Sequence, residues 1–290
     1  WKWALPVMNM AGWSLVSTLG FALFVKTDIW IINRFVSKEM AGVYAALLVW
    51  PNFIKQIGGQ LSALLGPVYV IDYAKQNTER MVGVCLFTSK LLGYFAAIAV
   101  GFIFVFAEDI LSIWLGAEFI QFAPLLKLMT CSLILTLSET VIWGIFPAIN
   151  KMHYTGWANL VPGLLNIGLS IALVFAGYGV YGVAIGTIVS TLLKSAIILP
   201  YGLSREMHVP FSVFLMNYAK SAGLFALVLL AGVGINLLPG VLVGRLALFA
   251  LTMLALAPLV YWIGFSQKER GQIEDQASKL FKRTPPIVAQ

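Results

Sequence analysis

Residues 82–106 read VGVCLFTSKLLGYFAAIAVGFIFVF. A single charge, Lys90, interrupts a run otherwise built from apolar and small residues. About 20 such residues, coiled as a helix, cross about 30 Å of hydrocarbon. Backbone polar groups have no water to bond in lipid, so a run this long must be helical. A β-barrel strand would show about ten residues of alternating polarity, and this stretch shows none.

Working outward, seven further segments have the same character. With 82–106 they are 7–33, 41–66, 123–149, 155–176, 180–201, 220–238 and 243–265. The composition agrees: 60% of the 290 residues are hydrophobic and 11% are charged, with mean hydropathy +0.90. A soluble domain carries roughly 25% charged residues. These figures exclude a soluble enzyme, a disordered chain and a secreted disulfide scaffold. The expected fold is an all-α polytopic membrane protein with about eight transmembrane helices. Cys85 and Cys131 lie inside apolar runs and read as small core residues.

The connections are short. Gly177-Tyr178-Gly179 turns between two segments, and Leu238-Pro239-Gly240 between the last two. The loop 107–122 is expected on the membrane surface, with Trp114 at headgroup depth. Trp30, Trp50, Trp143 and Trp157, near segment ends, also read as belt residues. In the polar tail, Ile273, Ala277, Leu280 and Phe281 share one helical face beside Lys279, Lys282 and Arg283, which reads as an interfacial helix.

The net charge of +7 sits mostly between the apolar segments. It therefore reads as membrane orientation and not as a nucleic-acid footprint. One side holds Lys2, Lys75, Arg80, Lys151, Arg205, Lys220, Lys268, Arg270, Lys279, Lys282 and Arg283, and the other only Arg34, Lys38 and Arg245. The first side is expected to be cytoplasmic, with both termini on it. The chain opens Trp1-Lys2-Trp3, which is expected to be a cut end.

Charges inside spans are costly, about 2.5–3.5 kcal/mol each on insertion scales, and mark function. Lys26 and Asp28 lie near the outer end of the first segment. At about 1.5 Å per residue, Lys55 and Lys194 lie roughly 21 Å from the outer ends of their segments and Glu139 roughly 24 Å. Lys55 and Glu139 lie too deep to reach water by snorkelling, so they are expected to pair with each other or face a hydrated cavity. Lys26, Asp28 and Lys127 are shallower and either snorkel or join that cavity. Lys90 is expected to snorkel. Cations outnumber anions in the spans, which suits an anionic ligand such as phosphate or pyrophosphate. Asp28 and Glu139 would neutralise lysines or serve as a proton or sodium site.

Pro51 and Pro147 are expected to bend their helices, with Gly58-Gly59 as a hinge. Gly182 and Gly186 form a face for close helix approach, and Asn159 and Asn166 are expected to tie helices together. His153 and His208 sit in connections without metal-ligand spacing, and no Gly-rich phosphate loop is visible. Neither an enzyme nor a bound cofactor is expected.

The stretch Thr27-Asp28-Ile29-Trp30-Ile31-Ile32-Asn33-Arg34-Phe35, followed by Ala41-Gly42-Val43-Tyr44, resembles the polysaccharide (O-antigen and related) flippases of the multidrug/oligosaccharidyl-lipid/polysaccharide exporter superfamily. Leu111-Ser112-Ile113-Trp114-Leu115-Gly116 before Phe119 is similar to that family's loop after its third helix. Asn159, Asn166 and Leu169, then Gly182-Val183-Ala184, resemble its fifth-to-sixth helix signature. The resemblance spans roughly residues 10–200.

Members of that family carry twelve to fourteen helices in two six-helix lobes, often with two more. The resemblance implies a C-terminal portion: a six-helix lobe over 1–201, two additional helices over 202–265 and a cytoplasmic tail over 266–290. It implies translocation of a polyprenyl-diphosphate-linked oligosaccharide across the bacterial inner membrane, as in lipopolysaccharide O-antigen assembly. The implied partners are membrane lipid, polysaccharide assembly proteins and an absent N-terminal lobe or a second copy. The implied cationic cavity holds Lys26, Lys55 and Gln56 as substrate-binding residues, with Asp28 and Glu139 as charge partners or ion-coupling groups. The alternatives are a multidrug and toxin extrusion cation antiporter, which needs a more acidic cavity, and a membrane polysaccharide polymerase or ligase, which needs basic residues in an outer loop.

Overall fold

The computed structural model describes residues 4–237, 241–267, 269–271 and 274. All regular structure among them is helical: α1 (Ala4–Phe35), α2 (Lys38–Leu47), α3 (Val49–Ala63), α4 (Gly66–Ala74), α5 (Thr78–Trp114), α6 (Ala123–Cys131), α7 (Leu133–Trp143), α8 (Ile145–Ala148), α9 (Met152–Leu173), α10 (Gly179–Leu192), α11 (Leu199–Met207), α12 (Phe211–Leu237) and α13 (Leu242–Leu259). Three π-helical segments and one 3-10 turn join some of these. By length and composition, six helical stretches can cross a bilayer: Met8–Phe35, Thr78–Trp114, Ala117–Ala148, Met152–Met207, Phe211–Asn236 and Leu242–Gly264. The chain is an all-α polytopic membrane protein.

Seven of the eight expected segments overlap these stretches, and 41–66 falls in none of them. Met152–Met207 is 56 residues long, far beyond the length of one crossing. It folds back at Gly177 and Gly179, both at positive φ (93° and 52°) that a residue with a Cβ rarely adopts. The arms α9 and α10 then pack side by side. Segment 41–66 is divided among α2, α3 and the start of α4. The turn expected at 238–240 and most of the interfacial helix expected over 266–290 lie outside the described residues.

Prolines locate several interruptions. Proline has no N–H to offer the carbonyl four residues back. Pro51, Pro67 and Pro147 thus release the carbonyls of Leu47, Ala63 and Trp143. The helices break next to those residues, at Leu48, at Leu64–Leu65 and at Gly144. Pro200 lies just beyond the π-helical segment Leu193–Ile198. The Ser195 carbonyl in that segment accepts a hydrogen bond from the Tyr218 hydroxyl at 2.8 Å. Pro162 lies inside α9 without ending it.

Residues 107–122 are not the surface loop expected from sequence. Helix α5 continues through a kink at Phe106 to Trp114, and Ala117–Phe122 forms a 3-10 turn. The reason is a stripe of small and apolar residues at helical spacing. Leu92, Ala96, Val100, Ile103, Ala107 and Leu111 are all buried, and the stripe outlasts the acidic pair Glu108-Asp109. Trp114 packs edge-on against Trp50, with ring centres 6.1 Å apart.

The chain divides into two compact units, Trp1–Leu229 and Leu230–Gln290. In the first, α5 and α7 form the centre, while α1 runs along α9. That seam is tight: a Cβ added to Gly20 would sit 2.6 Å from the Leu160 amide nitrogen. Gly186 plays the expected role on α10, where an added Cβ would meet the Ser170 Oγ at 2.4 Å. In the second unit, Arg245 donates to Asn236 at 3.4 Å. Arg270 lies 4.5 Å from the Trp262 ring. Ser266 and Glu269 form a reciprocal capping box that opens a helix.

Candidate functional site

Two buried carboxylates organise the first unit. Asp28 projects from the inward face of α1, the same face that buries Ile31 and Ile32. Its Oδ1 accepts from Asn166 Nδ2 at 2.8 Å. Its Oδ2 accepts from the Thr187 hydroxyl at 2.7 Å and the Tyr44 hydroxyl at 3.2 Å. Four helices, α1, α2, α9 and α10, therefore meet at one carboxylate. The Asn166 Oδ1 accepts from Ser170 at 3.1 Å, which extends the network. One step along the same seam, Asn159 Nδ2 donates to the Ser17 carbonyl at 2.9 Å. The two asparagines tie helices together, as their spacing suggested.

Glu139 lies on α7. Its Oε1 sits 2.9 Å from the ammonium of Lys194, which the π-helical segment Leu193–Ile198 carries. Both are shielded, with side chains 4% and 15% exposed. The Lys194 ammonium also lies 5.2 Å from the centre of the Trp143 ring and 5.9 Å from that of Phe24. Those aromatic faces attract a cation. Trp143, one turn after Glu139 on α7, thus cradles a lysine. The second carboxylate oxygen of Glu139 is buried with no hydrogen-bond partner among the described residues.

Lys55 is half-buried on α3. It lies within electrostatic range of Lys194, Asp28 and Glu139. Among the described residues, no hydrogen bond or ion pair reaches its ammonium. The close seat of α3 on α7 brings it there: a Cβ on Gly58 would stand 3.0 Å from Leu137 Cγ. Depth alone suggested that Lys55 and Glu139 pair with each other or face a hydrated cavity. The structure gives Glu139 to Lys194 instead. Depth along a helix fixes a level and leaves the angle around the axis open.

The other candidates fall elsewhere. Lys26 is exposed on α1, two residues and so about 200° around the helix from buried Asp28. Gln56 is exposed on α3, about 100° around from Lys55. Neither shares a face with the Lys55 cluster. Lys90, expected to snorkel, is buried at 6% exposure. Lys194 shares the level of Lys55 and Glu139 but was not among the candidate site residues. Its depth was the signal that could have included it.

Below the cluster lies an open groove of about 540 Å³. Gly59, Ser62, Ala63 and Gly66 line one wall, and Thr140, Trp143, Gly144, Pro147 and Ala148 the other, with Met10 and Val70 at its edge. The Ser62 hydroxyl donates to the Thr140 carbonyl at 2.8 Å and joins the walls. Gly59 follows Lys55 by one turn and Trp143 follows Glu139 by one turn. A charged cluster therefore heads a mostly apolar trough. Among the described residues, no group of His, Cys, Asp or Glu could hold a metal ion.

No family model and no solved structure matches the chain. Two curated proteins do. The chain is 28% identical over 223 residues to an uncharacterized membrane protein, EpsK, of Bacillus subtilis (strain 168), covering 76% of this chain and 44% of that protein. It is 22% identical over 262 residues to a probable low-salt glycan biosynthesis flippase, Agl15, of Haloferax volcanii, covering 87% of this chain and 55% of that protein. The chain spans about half the length of the curated relatives it matches.

Proposed function

We propose that this chain forms part of a flippase that moves a lipid-linked oligosaccharide or polysaccharide precursor across a membrane. The observation that carries the reading is the Lys55 ammonium, which has no hydrogen bond or ion pair among the described residues, on a residue one helical turn before Gly59 in the wall of an apolar groove. A cation at the head of an apolar trough suits an amphiphile with an anionic headgroup. Lysine holds phosphate as a point charge, which tolerates a headgroup that must later leave. The name of the Haloferax relative supports the same reading.

In this account Lys55 contacts the diphosphate. Lys26, on the exposed face of α1, and Gln56 receive the more peripheral parts of the headgroup. Glu139 is the charge partner. Asp28, held by the hydroxyls of Tyr44 and Thr187 and the amide nitrogen of Asn166, is a second charge partner within range of Lys55. The chain works with a second lobe or a second copy that closes the other side of the cavity. The side rich in lysine and arginine faces the cytoplasm of the inner membrane, and polysaccharide assembly proteins supply and remove the substrate. A cation antiporter is disfavoured because the Lys55 cluster holds as many ammoniums as carboxylates.

The test is reconstitution of the intact protein that the gene encodes into liposomes, with transfer of a lipid-diphosphate-linked glycan as readout. Lys55→Ala is expected to lower both rate and affinity. Unchanged values would remove Lys55 from the site.

A further inference from the structure

Lys55, Glu139 and Lys194 form an unfinished set. Glu139 holds Lys194 through one oxygen at 2.9 Å, while its other oxygen is buried without a partner among the described residues. Asp28, the fourth charge of the cluster, differs. Both of its oxygens are held by donors from three other helices. Asp28 is anchored, whereas among the described residues a single ion pair accounts for the bonding of Glu139. Lys194 does not depend on Glu139 alone, because Trp143 and Phe24 flank its ammonium.

From this asymmetry we infer that Glu139 is a resident stand-in for the substrate's phosphate, occupying Lys194 until an anionic headgroup displaces it. This rests on the anion-site reading above and adds Lys194 as a second substrate-binding cation. With Glu139 in place, the two ammoniums and the two carboxylates of the cluster balance. With its carboxylate turned away, one net positive charge is left for the incoming anion. The aromatic cradle keeps Lys194 in position during the exchange, so the site need not reorganise. The π-helical segment serves the same end: it places Lys194 at this point of the bundle, and wide turns of this kind recur at functional sites. A headgroup that outcompetes Glu139 must carry more charge than a carboxylate, so the device selects against monoanionic lipids.

The inference reverses the usual expectation for a buried site carboxylate, since removing its charge should improve binding. The experiment is calorimetric titration of the purified intact protein with farnesyl diphosphate, and with farnesol as the uncharged control. Glu139→Gln is expected to bind farnesyl diphosphate about tenfold tighter than wild type, with farnesol unchanged. Lys194→Gln is expected to bind it more weakly, and the double variant to show no gain over Lys194→Gln. Glu139→Asp keeps the charge on a shorter arm, so it is the variant to titrate if Glu139→Gln does not stay monodisperse. It should tighten binding by a smaller factor. Weaker or unchanged binding in the Glu139 variants, or an equal gain when Lys194 is absent, overturns the stand-in role and leaves the anion site intact. If no protein, wild type included, prefers farnesyl diphosphate to farnesol, the anion site itself fails.

Discussion

Asp28 and Glu139 meet the same problem, a carboxylate inside a membrane bundle, in opposite ways. Among the described residues, Asp28 receives three hydrogen bonds from three helices and no ion pair. Among the same residues, Glu139 receives one cation and leaves an oxygen without a hydrogen-bond partner. A buried charge that is fully hydrogen-bonded belongs to the framework, because moving it would strand several donors. A buried charge held at one point can be exchanged for another anion at little structural cost. The contrast separates a joint of the fold from a position fit to exchange ligands, though both looked alike as isolated acidic letters.

The contrast can be broken by mutation. Lys194→Ala should cost the most, about 3–5 kcal/mol, because it strands a buried carboxylate. Thermal unfolding of the detergent-solubilised protein would read this, and removing Glu139 as well should recover much of the loss. Asp28→Ala should cost less, about 1–3 kcal/mol, since it removes an acceptor from three polar donors but leaves no stranded charge. An order reversed from this would mean that the Asp28 network, not the ion pair, carries the larger electrostatic load.

Gly20→Ala sharpens the comparison from the backbone side. The new methyl would press on Leu160 and Asn159 at 2.6–2.9 Å and push α1 from α9. We expect a loss of about 1–3 kcal/mol, with the Asp28–Asn166 bond weakened and the Glu139–Lys194 pair untouched. Cysteine accessibility at positions flanking each cluster would show which one loosened. Lys151→Ala should have the smallest effect, under about 1 kcal/mol. Its pair with Glu206 spans 3.1 Å, but its side chain is 43% exposed, and exposed pairs contribute little.

Much of this architecture was legible in the sequence. Segments such as 82–106 announce themselves by length and polarity, and Gly177 and Gly179 mark a turn that lays α9 against α10. Residues 107–122 misled because Glu108-Asp109 looks like the start of a loop. A long helix tolerates such a pair on its outer side while Leu111 continues the buried stripe. At the site, depth placed Lys55, Glu139 and Lys194 on one level. It could not say that Glu139 turns toward Lys194, because that angle depends on the π-helical segment and the seat of α3 on α7. Lys26 and Gln56 were grouped with buried neighbours for the same reason: adjacency in sequence puts residues on different faces of a helix.

The central claim is that the Lys55 ammonium receives a negatively charged headgroup. Its most direct test is glycolipid translocation by the intact protein in proteoliposomes, comparing wild type with Lys55→Gln at matched protein incorporation. The account predicts a fall in initial rate of about tenfold or more. A rate equal to wild type would contradict it.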